Sequence, residues 1–232
     1  MTRLAAGRST HLEPDEIAKA TLELFDEGRD PSIRQLAVAL NVTPSAIYHH
    51  YDSRAEIVQA AVEIVWREII EEVTGIVGSP FEADPVEALT ALGLVSRRAF
   101  IRHHSITPYM AGIPRAEELS ALGLAMFASV FERFGMTGRV AGEAFHAFAS
   151  FCFGNALYAA SRIAADETLG SDHPTHEELE SIRAASGISD TSTAETRLEV
   201  DSILDIFETN PERDEALFEA GLSRLLNEFA KV

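Results

Sequence analysis

Residues 32–54, SIRQLAVALNVTPSAIYHHYDSR, constrain the fold most, because they predict two short helices joined by a tight turn. In the first helix, apolar side chains recur with the spacing of a single helical face, at Ile33, Leu36, Ala37 and Leu40. The second helix carries polar and aromatic groups at its exposed positions. This arrangement is typical of a DNA-binding helix-turn-helix.

Capping signals indicate where these two helices begin and end. Ser32 suits the N-terminus of the first helix, and Asn41 tolerates the left-handed backbone that ends it. Thr43 followed by Pro44 is an N-cap with proline at the first helical position, which predicts a second helix from Pro44 to about Tyr51. A helix of two turns with few apolar anchors suits insertion into the major groove, where base edges are exposed.

The surface of the helix-turn-helix supplies the candidate DNA contacts. Ile47 and Tyr51 are four residues apart and are predicted to pack inward, which leaves the other side chains of the second helix for the groove and its walls. Arg34 and His49 are the candidates for base contacts. The predicted DNA-binding residues are Ser32, Arg34, Thr43, Pro44, Ser45, Ala46, Tyr48, His49, His50 and Arg54.

Helices are also predicted on both sides of this motif. Pro14, followed by acidic residues, opens a helix that ends at Gly28. Ser53 with Glu56 three residues later is a capping box that starts a long helix. The sequence therefore predicts a helix-turn-helix DNA-binding domain at residues 1–56 and a larger helical domain for effector binding and dimerisation at residues 57–232.

The N-terminal segments closely resemble the tetracycline-repressor (TetR) family of transcriptional regulators. The resemblance covers residues 14–60 and rests on LFDEG, LAVALNV, TPSAIYHHY and DSRAEIV in that order. It implies that Tyr48 and Arg54 hold DNA phosphates. It also implies an effector pocket between the long helix and the middle helices of the body, with repression as the usual mode of regulation.

The C-terminal half resembles the tetracycline-repressor subgroup itself, in IRHHSITPYMAGIPR, in NALYAAS and in the polar loop before the last two helices. The resemblance places a metal-binding histidine where this chain has Met110. Because a thioether is a soft ligand unsuited to magnesium, we expect an inducer that needs no metal. A tetracycline-type metal-dependent repressor stays an alternative.

The net charge of −18 is unevenly distributed. Residues 1–56 hold six basic and nine acidic residues, and residues 32–51 hold no acidic residue, so most of the acidity lies in the body. A small positive surface on a negative body predicts weak non-specific DNA affinity with steep salt dependence. Arg3 and Arg8 in the N-terminal arm are further candidates for DNA contact.

Residues 57–232 show no sustained strand alternation, so the predicted fold class is all-α. The predicted helices are Pro85 to about Arg102, Pro114 to Phe134, Thr137 to about Ala165, Thr193 to Phe207 and Pro211 to Phe229. The polar stretch 169–193 separates the last two from the rest and has helical potential around residues 175–185.

An uncharged run of eighteen residues, AFHAFASFCFGNALYAAS, lies between Glu143 and Arg162. Its polar and small residues make it a poor membrane span. A helix buried against both the body and a second subunit fits better, with Gly154 allowing close approach and the last helix as its partner, which predicts a four-helix homodimer interface. The first residues lack the apolar region of a secretory signal, so a cytoplasmic location is expected.

Aromatic and polar side chains in the middle helices are the candidate effector-binding residues. They are Phe100, His103, His104, Tyr109, Met110, Phe127, Phe131, Phe148, Phe151, Asn155 and Tyr158, with Phe145 and His146 nearby. The ordinary interpretation of most of these phenylalanines is as core residues, and the alternative is that a subset lines an apolar cavity. Asn155, Tyr158 and His103 are the expected polar contacts to a mainly apolar small molecule. Arg97, Arg98 and Arg102 are expected to lie in solvent or to pair with carboxylates.

Other classes of function find little support. The sequence lacks GxSxG, HExxH and a phosphate-binding glycine loop, so neither an enzyme nor a cofactor is predicted. His173, His176, Glu177 and Glu178 lie in a polar, glycine-flanked loop and favour a solvated helix start over a metal site. Cys152 is expected to be a small buried side chain. The open alternatives are a DNA-binding adaptor without an effector and a helix-turn-helix that serves only as a scaffold.

Overall fold

A computed structural model describes residues 12–110, 118–169, 181 and 211–231 of the chain. Within them the chain is helical and contains no strand, which confirms the all-α class. The helices are α1 (Pro14–Asp26), α2 (Ile33–Ala39), α3 (Pro44–Tyr48), α4 (Arg54–Val77), α5 (Pro85–Arg102), α6 (Thr107–Met110), α7 (Glu118–Arg133), α8 (Gly138–Leu169) and α9 (Pro211–Phe229). The helix predicted for 193–207, the polar stretch and the start at Pro114 lie outside the described residues.

The helix-turn-helix forms through the caps that its sequence predicts. Ser32 and Gln35 cap each other's backbone at the start of α2, and the Thr43 hydroxyl accepts a hydrogen bond from the backbone NH of Ala46 at the start of α3. Asn41 has φ of 54°, the left-handed conformation expected of it. These local interactions fix the angle between α2 and α3.

The recognition helix α3 ends at Tyr48, so the prediction of a helix to about Tyr51 was three residues too long. The backbone NH of His50 bonds the carbonyl of Ile47 in a tight turn, and the Tyr51 hydroxyl donates back to the carbonyl of Pro14. Tyr51 therefore packs inward as predicted, but it does so from the turn after the helix. The long-range bond to α1 takes the chain out of the helical path.

Two hydrophobic clusters organise the fold. The smaller one joins α1, α2, α3 and the first turn of α4, through Ile17, Leu24, Leu36, Ala37, Ile47 and Ile57. The larger one fills the body, and it includes Leu22 and Phe25 from α1. Because α1 and α4 contribute to both clusters, the N-terminal head is packed directly onto the body.

The body is built around α4, α5 and α8, with α7 and α9 packed against them. The last helix, α9, packs closely against α5 and α8 at two glycines. A Cβ added at Gly93 of α5 would lie 2.6 Å from a Leu222 methyl carbon of α9, and one added at Gly221 of α9 would lie 2.7 Å from the Phe151 ring of α8. In the part of the chain that the structure describes, no helix is both long and apolar enough to cross a bilayer.

Candidate functional site

All the predicted DNA-binding residues lie at the surface of the head, where they are exposed or half-buried. Tyr48 on α3 is 52% exposed, and Arg34 on α2 is also exposed. His49 and His50 follow α3 with their rings edge to face, 5.5 Å apart. The helix-turn-helix thus presents a continuous surface without an acidic residue from 32 to 51. A DNA role for each residue stays a prediction.

Arg54 is held within the protein at the start of α4. Its Nε donates to the carbonyl oxygen of Pro31 at 2.9 Å, and its Nη2 pairs with the Asp30 carboxylate. Asp30 also accepts a bond from the Tyr109 hydroxyl of α6 at 3.4 Å. A phosphate bound by Arg54 would therefore share the guanidinium with Asp30 or displace Asp30 from it. The bond from Tyr109 to Asp30 also connects α6 of the body to the head.

His103, predicted as a ligand contact, lies where the head meets the body. It is 5% exposed, and its Nδ1 lies 2.8 Å from a carboxylate oxygen of Asp26, the last residue of α1. Its Nε2 lies 3.3 Å from a carboxylate oxygen of Glu68 on α4. Both ring nitrogens thus have partners within the protein, and neither is free to contact a ligand while these bonds persist.

The predicted aromatic residues of the body form three groups. Phe100 stacks on Phe153 with ring centroids 4.3 Å apart and meets Trp66 edge to face at 5.8 Å. Phe127 lies between α7 and α8, in contact with the rings of Phe131, Phe145 and Phe148. Phe151 stacks on Phe218 of α9. The first two groups pack together where α4, α5, α7 and α8 meet, which is the region where the sequence analysis expects the effector.

The expectation that Arg97 would lie in solvent or form an ion pair was wrong. Arg97 is 4% exposed, its Nε donates to the Asn155 amide oxygen at 2.7 Å, and its guanidinium lies over the Phe218 ring. Burial lowers its pKa, an effect opposed by the carboxylates of Glu215 and Asp214. Asn155 is thereby engaged in the core of the body.

The other two arginines behave as expected, since Arg98 pairs with Glu72 and Glu215, and Arg102 lies 3.8 Å from Glu68. Of the remaining ligand candidates, Tyr158 is 50% exposed beneath Arg162, and His104 is exposed. Met110 is 3% exposed. Their role in ligand binding stays a prediction.

Cys152 is buried in α8, as expected, and burial raises the pKa of its thiol to about 12. It is therefore a packing residue. Among the described residues no three histidine, cysteine or acidic side chains are grouped as a metal site would need. The histidines and glutamates at 173–178 lie outside the described part of the chain.

Asp26, Glu68 and Asp30 contact predicted site residues, and the sequence analysis did not single them out. One local signal was available: Asp26 and Glu27 end α1, which has no basic residue in its last turn. Carboxylates are unfavourable at a helix C-terminus unless a cation compensates them, so such a residue indicates a partner elsewhere in the fold. The sequence does not say which partner.

Comparisons with known proteins agree with this architecture. A family model described as bacterial regulatory proteins, tetR family, matches residues 17–61, which run from α1 through α2 and α3 into α4. No match was found among curated proteins.

Several solved structures share the fold along nearly the whole chain. A possible TetR family transcriptional regulator from Streptomyces coelicolor A3(2) is 21% identical, with 93% of this chain and 98% of that chain covered and a TM-score of 0.67. The Streptomyces coelicolor TetR family protein ActR, in complex with actinorhodin, is 17% identical over 95% and 96%, with a TM-score of 0.70. The Q116A variant of TetR from Acinetobacter baumannii AYE, in complex with minocycline, is 19% identical over 95% and 97%, with a TM-score of 0.64.

Proposed function

This chain has the TetR-like fold, with an N-terminal domain of the tetR family of bacterial regulatory proteins, and from this premise we propose that it is a homodimeric, ligand-responsive transcriptional repressor. It binds a palindromic operator in the cytoplasm, without catalytic activity, and a mainly apolar small molecule releases it. The observation that carries the proposal is the exposed, acid-free surface of α2 and α3, joined to a large aromatic body through α4.

The DNA-binding part rests on shape and charge. The five-residue α3 is capped at Thr43 and anchored by Ile47, which is fully buried, so the helix projects its other side chains as a rigid unit. Such a helix fits the major groove, where Arg34 from α2 and His49 can meet base edges and Tyr48 can meet a phosphate. No acidic residue lies between positions 32 and 51, so no carboxylate of this stretch repels the DNA backbone, whereas Asp30, outside it, pairs with Arg54.

Large apolar side chains that are exposed on α8 and α9 of a single chain support the dimer. Leu157 and Tyr158 of α8 are 37% and 50% exposed, and Leu217 of α9 is 40% exposed. A Cβ built at Gly154 would meet nothing within 4 Å, so the backbone of α8 is open to a close neighbour there. Two α8 and two α9 helices related by a two-fold axis would cover these groups.

The effector is inferred from the aromatic lining of the body. Rings from α4, α5, α7 and α8 meet around Phe100 and Phe127. Structural neighbours of this fold are in complex with actinorhodin and with minocycline, which supports a small-molecule ligand for this chain. Burial of such rings contributes about 25 cal/mol per Å² of apolar surface, enough for micromolar affinity with one or two polar contacts.

The proposed release mechanism runs through α4. This helix begins in the head core with Ile57 and continues in the body core with Val65, Ile69 and Val73, so a ligand that displaces its middle also tilts the head. A dimer whose heads tilt loses the spacing of its two recognition helices. The ligand acts only as far as it binds the tilted state more tightly than the operator-binding state.

A screen for ligands tests this proposal. Small aromatic and apolar compounds are ranked by the rise they cause in the unfolding temperature, and each hit is then added to the protein on DNA selected from random duplexes. We expect the stabilising compounds to weaken DNA binding. An adaptor would bind the same DNA without any ligand effect, and a scaffold would select no DNA.

Tyr48→Phe is expected to weaken operator binding by about 1 kcal/mol, because it removes one hydrogen bond to a phosphate. The loss should be equal on the selected operator and on single-base variants of it, as measured by titration at fixed salt. Thr74→Val, which removes an exposed hydroxyl of α4 in the body, is the control and should bind DNA as the wild type does. A change in base preference would show instead that Tyr48 contacts bases.

Gly154→Leu is expected to weaken the dimer by about 1 to 3 kcal/mol, because a large side chain would separate the helices that pack at that position. Sedimentation velocity over a range of concentrations measures the effect. Gly75→Leu, on an exposed helical position of α4 with nothing within 4 Å, is the matched control. An unchanged dimer in Gly154→Leu would contradict the proposed interface.

Calorimetry is expected to give the same affinity for a screened effector with and without a chelator of divalent metals. The reason is that Met110, at the position where the resembled subgroup has a metal-binding histidine, offers only a buried thioether. Loss of binding in the chelator would favour the metal-dependent alternative. A strong preference for multiply charged ligands would also contradict the apolar assignment.

A further inference from the structure

Two carboxylates flank the acid-free stretch 32–51 of the helix-turn-helix. Asp30 precedes it, in the segment between α1 and α2, and Asp52 follows it. The Asp30 carboxylate pairs with Nη2 of Arg54, the residue for which the family resemblance implies a phosphate contact. Carboxylate and phosphate oxygens are both anionic acceptors that a guanidinium binds in the same way. Asp30 therefore binds Arg54 as a DNA phosphate would.

A second bond directs the Arg54 guanidinium without the side chain of Asp30. Arg54 is the first residue of α4, and its Nε donates to the backbone carbonyl oxygen of Pro31 at 2.9 Å. A guanidinium has five N–H donors, of which this bond engages the one on Nε and the Asp30 pair engages one on Nη2. Arg54 is thus directed by Pro31, while Asp30 acts on the charge that Arg54 presents.

The Asp30 carboxylate is held beside Arg54. Its second oxygen, Oδ2, accepts a hydrogen bond from the Tyr109 hydroxyl of α6 at 3.4 Å. The Tyr109 ring meets the Phe25 ring of α1 edge to face, with centroids 5.5 Å apart, so the hydroxyl comes from a packed side chain. Asp30 is therefore bonded from the head and from the body, although 60% of its side chain is exposed.

Asp30 has two opposite effects on a phosphate that approaches Arg54. It helps to orient the guanidinium, but the bond to Pro31 already does so. Against binding, it neutralises the charge of Arg54 and repels the phosphate with its own. Because the Arg54 and Asp30 side chains are 36% and 60% exposed, water and salt limit this repulsion to about the strength of a surface ion pair. The unfavourable effect is the larger of the two.

We propose that Asp30 competes with the DNA phosphate for Arg54 and thereby lowers the DNA affinity of the head. DNA binds either by displacing Asp30 or by sharing the guanidinium with it. Because phosphate contacts carry no sequence information, Asp30 lowers the affinity for all sequences alike. The inference rests on the proposed DNA binding, and it adds a residue that sets the strength of that binding through Arg54.

Asp30→Asn tests the competition, because it removes the charge and keeps the shape. The amide oxygen still accepts hydrogen bonds from Arg54 and Tyr109. The full-length wild type and variant are titrated with one duplex of random sequence at several salt concentrations, since a phosphate contact needs no operator. We expect the variant to bind about two- to fivefold more tightly at low salt. The slope of log affinity against log salt should steepen by up to about one, because a displaced Asp30 no longer takes up a cation.

Asp52→Asn is the matched control. Asp52 is exposed, flanks the same stretch and changes the net charge equally, whereas Arg54 pairs with Asp30. It should change the affinity less than Asp30→Asn does, and by the same factor whether position 54 is arginine or glutamine. The effect of Asp30→Asn is expected to disappear in the Arg54→Gln background, which completes a double-mutant cycle for the pair. Circular dichroism and the unfolding temperature check that each variant is folded.

Unchanged or weaker DNA binding by Asp30→Asn would overturn the inference, and weaker binding would show that Asp30 positions Arg54 for the phosphate. An increase that persists in Arg54→Gln would overturn it too, because the charge would then act on DNA directly. If Arg54→Gln does not fold, an unaltered salt slope in Asp30→Asn contradicts the competition. Absence of duplex binding by both the wild type and Asp30→Asn would contradict the proposed function itself.

Discussion

Replacing Arg34 with alanine is expected to weaken binding to the selected operator by about 1 to 3 kcal/mol and to relax base preference at one position in each half-site. Arg34 is the exposed second residue of α2, whose N-cap is Ser32, so its backbone is held in place within the helix-turn-helix. A guanidinium most often contacts guanine, so the relaxed position should be a guanine. Titration against all single-base variants of the operator measures both effects.

Arg29→Ala is the matched control for this prediction. Arg29 is an exposed arginine in the turn after α1 and pairs with Glu27, outside the helix-turn-helix surface. Its removal takes away the same charge but should leave the base preference unchanged. Equal losses for the two variants, with no change in preference, would show that Arg34 acts only through its charge.

Phe100→Ala is expected to lower the free energy of unfolding by about 3 to 5 kcal/mol. The Phe100 ring is 2% exposed and joins three helices, with Trp66 of α4 on its edge and Phe153 of α8 on its face. Truncation leaves a cavity that these rings cannot fill without moving. Denaturant titration measures the loss, with the dimer concentration held fixed because association adds to apparent stability.

Phe81→Ala provides the comparison, since Phe81 is 39% exposed in the segment between α4 and α5. It should change the unfolding free energy by about 0.5 kcal/mol or less, as is usual for surface positions. A small effect of Phe100→Ala would mean that the rings around it are loosely packed. Phe100 would then be a residue of the effector site that contributes little to the core.

The parts of the fold that the sequence predicted well are those that depend on neighbours in the chain. The caps at Ser32 and Thr43 and the left-handed Asn41 involve atoms within three residues of each other, so their residue types carry the information. Asp84 likewise caps α5 by accepting from the backbone NH groups of Val86 and Glu87. Local chemistry of this kind is the same in any fold.

Long-range contacts account for what the sequence did not predict. Arg97 was expected at the surface because it is charged, and its burial depends on Asn155, which lies 58 positions away. The sequence analysis assigned His103 to the ligand because its actual partner, Asp26, is 77 positions away and could not be recognised from the sequence. Such pairings are set by how helices meet in space, and residue patterns along a single helix do not encode them.

Helix periodicity also fails to say which core a helical face joins. The apolar face of α1 divides between the two clusters, with Ile17 and Leu24 in the head and Leu22 and Phe25 in the body. A domain boundary drawn at residue 56 therefore divides the sequence, although α1 packs in the hydrophobic clusters of both parts. In the proposed release mechanism, this shared packing carries a change from the body to the recognition helix.

The most direct test of the account is selection of DNA from random duplexes by the full-length protein, followed by titration of the selected site with and without a stabilising ligand. The account predicts a two-fold symmetric site with half-sites about one helical turn apart, bound by one dimer and released by the ligand. An asymmetric site, a site indifferent to every stabilising ligand, or no selection at all would contradict it.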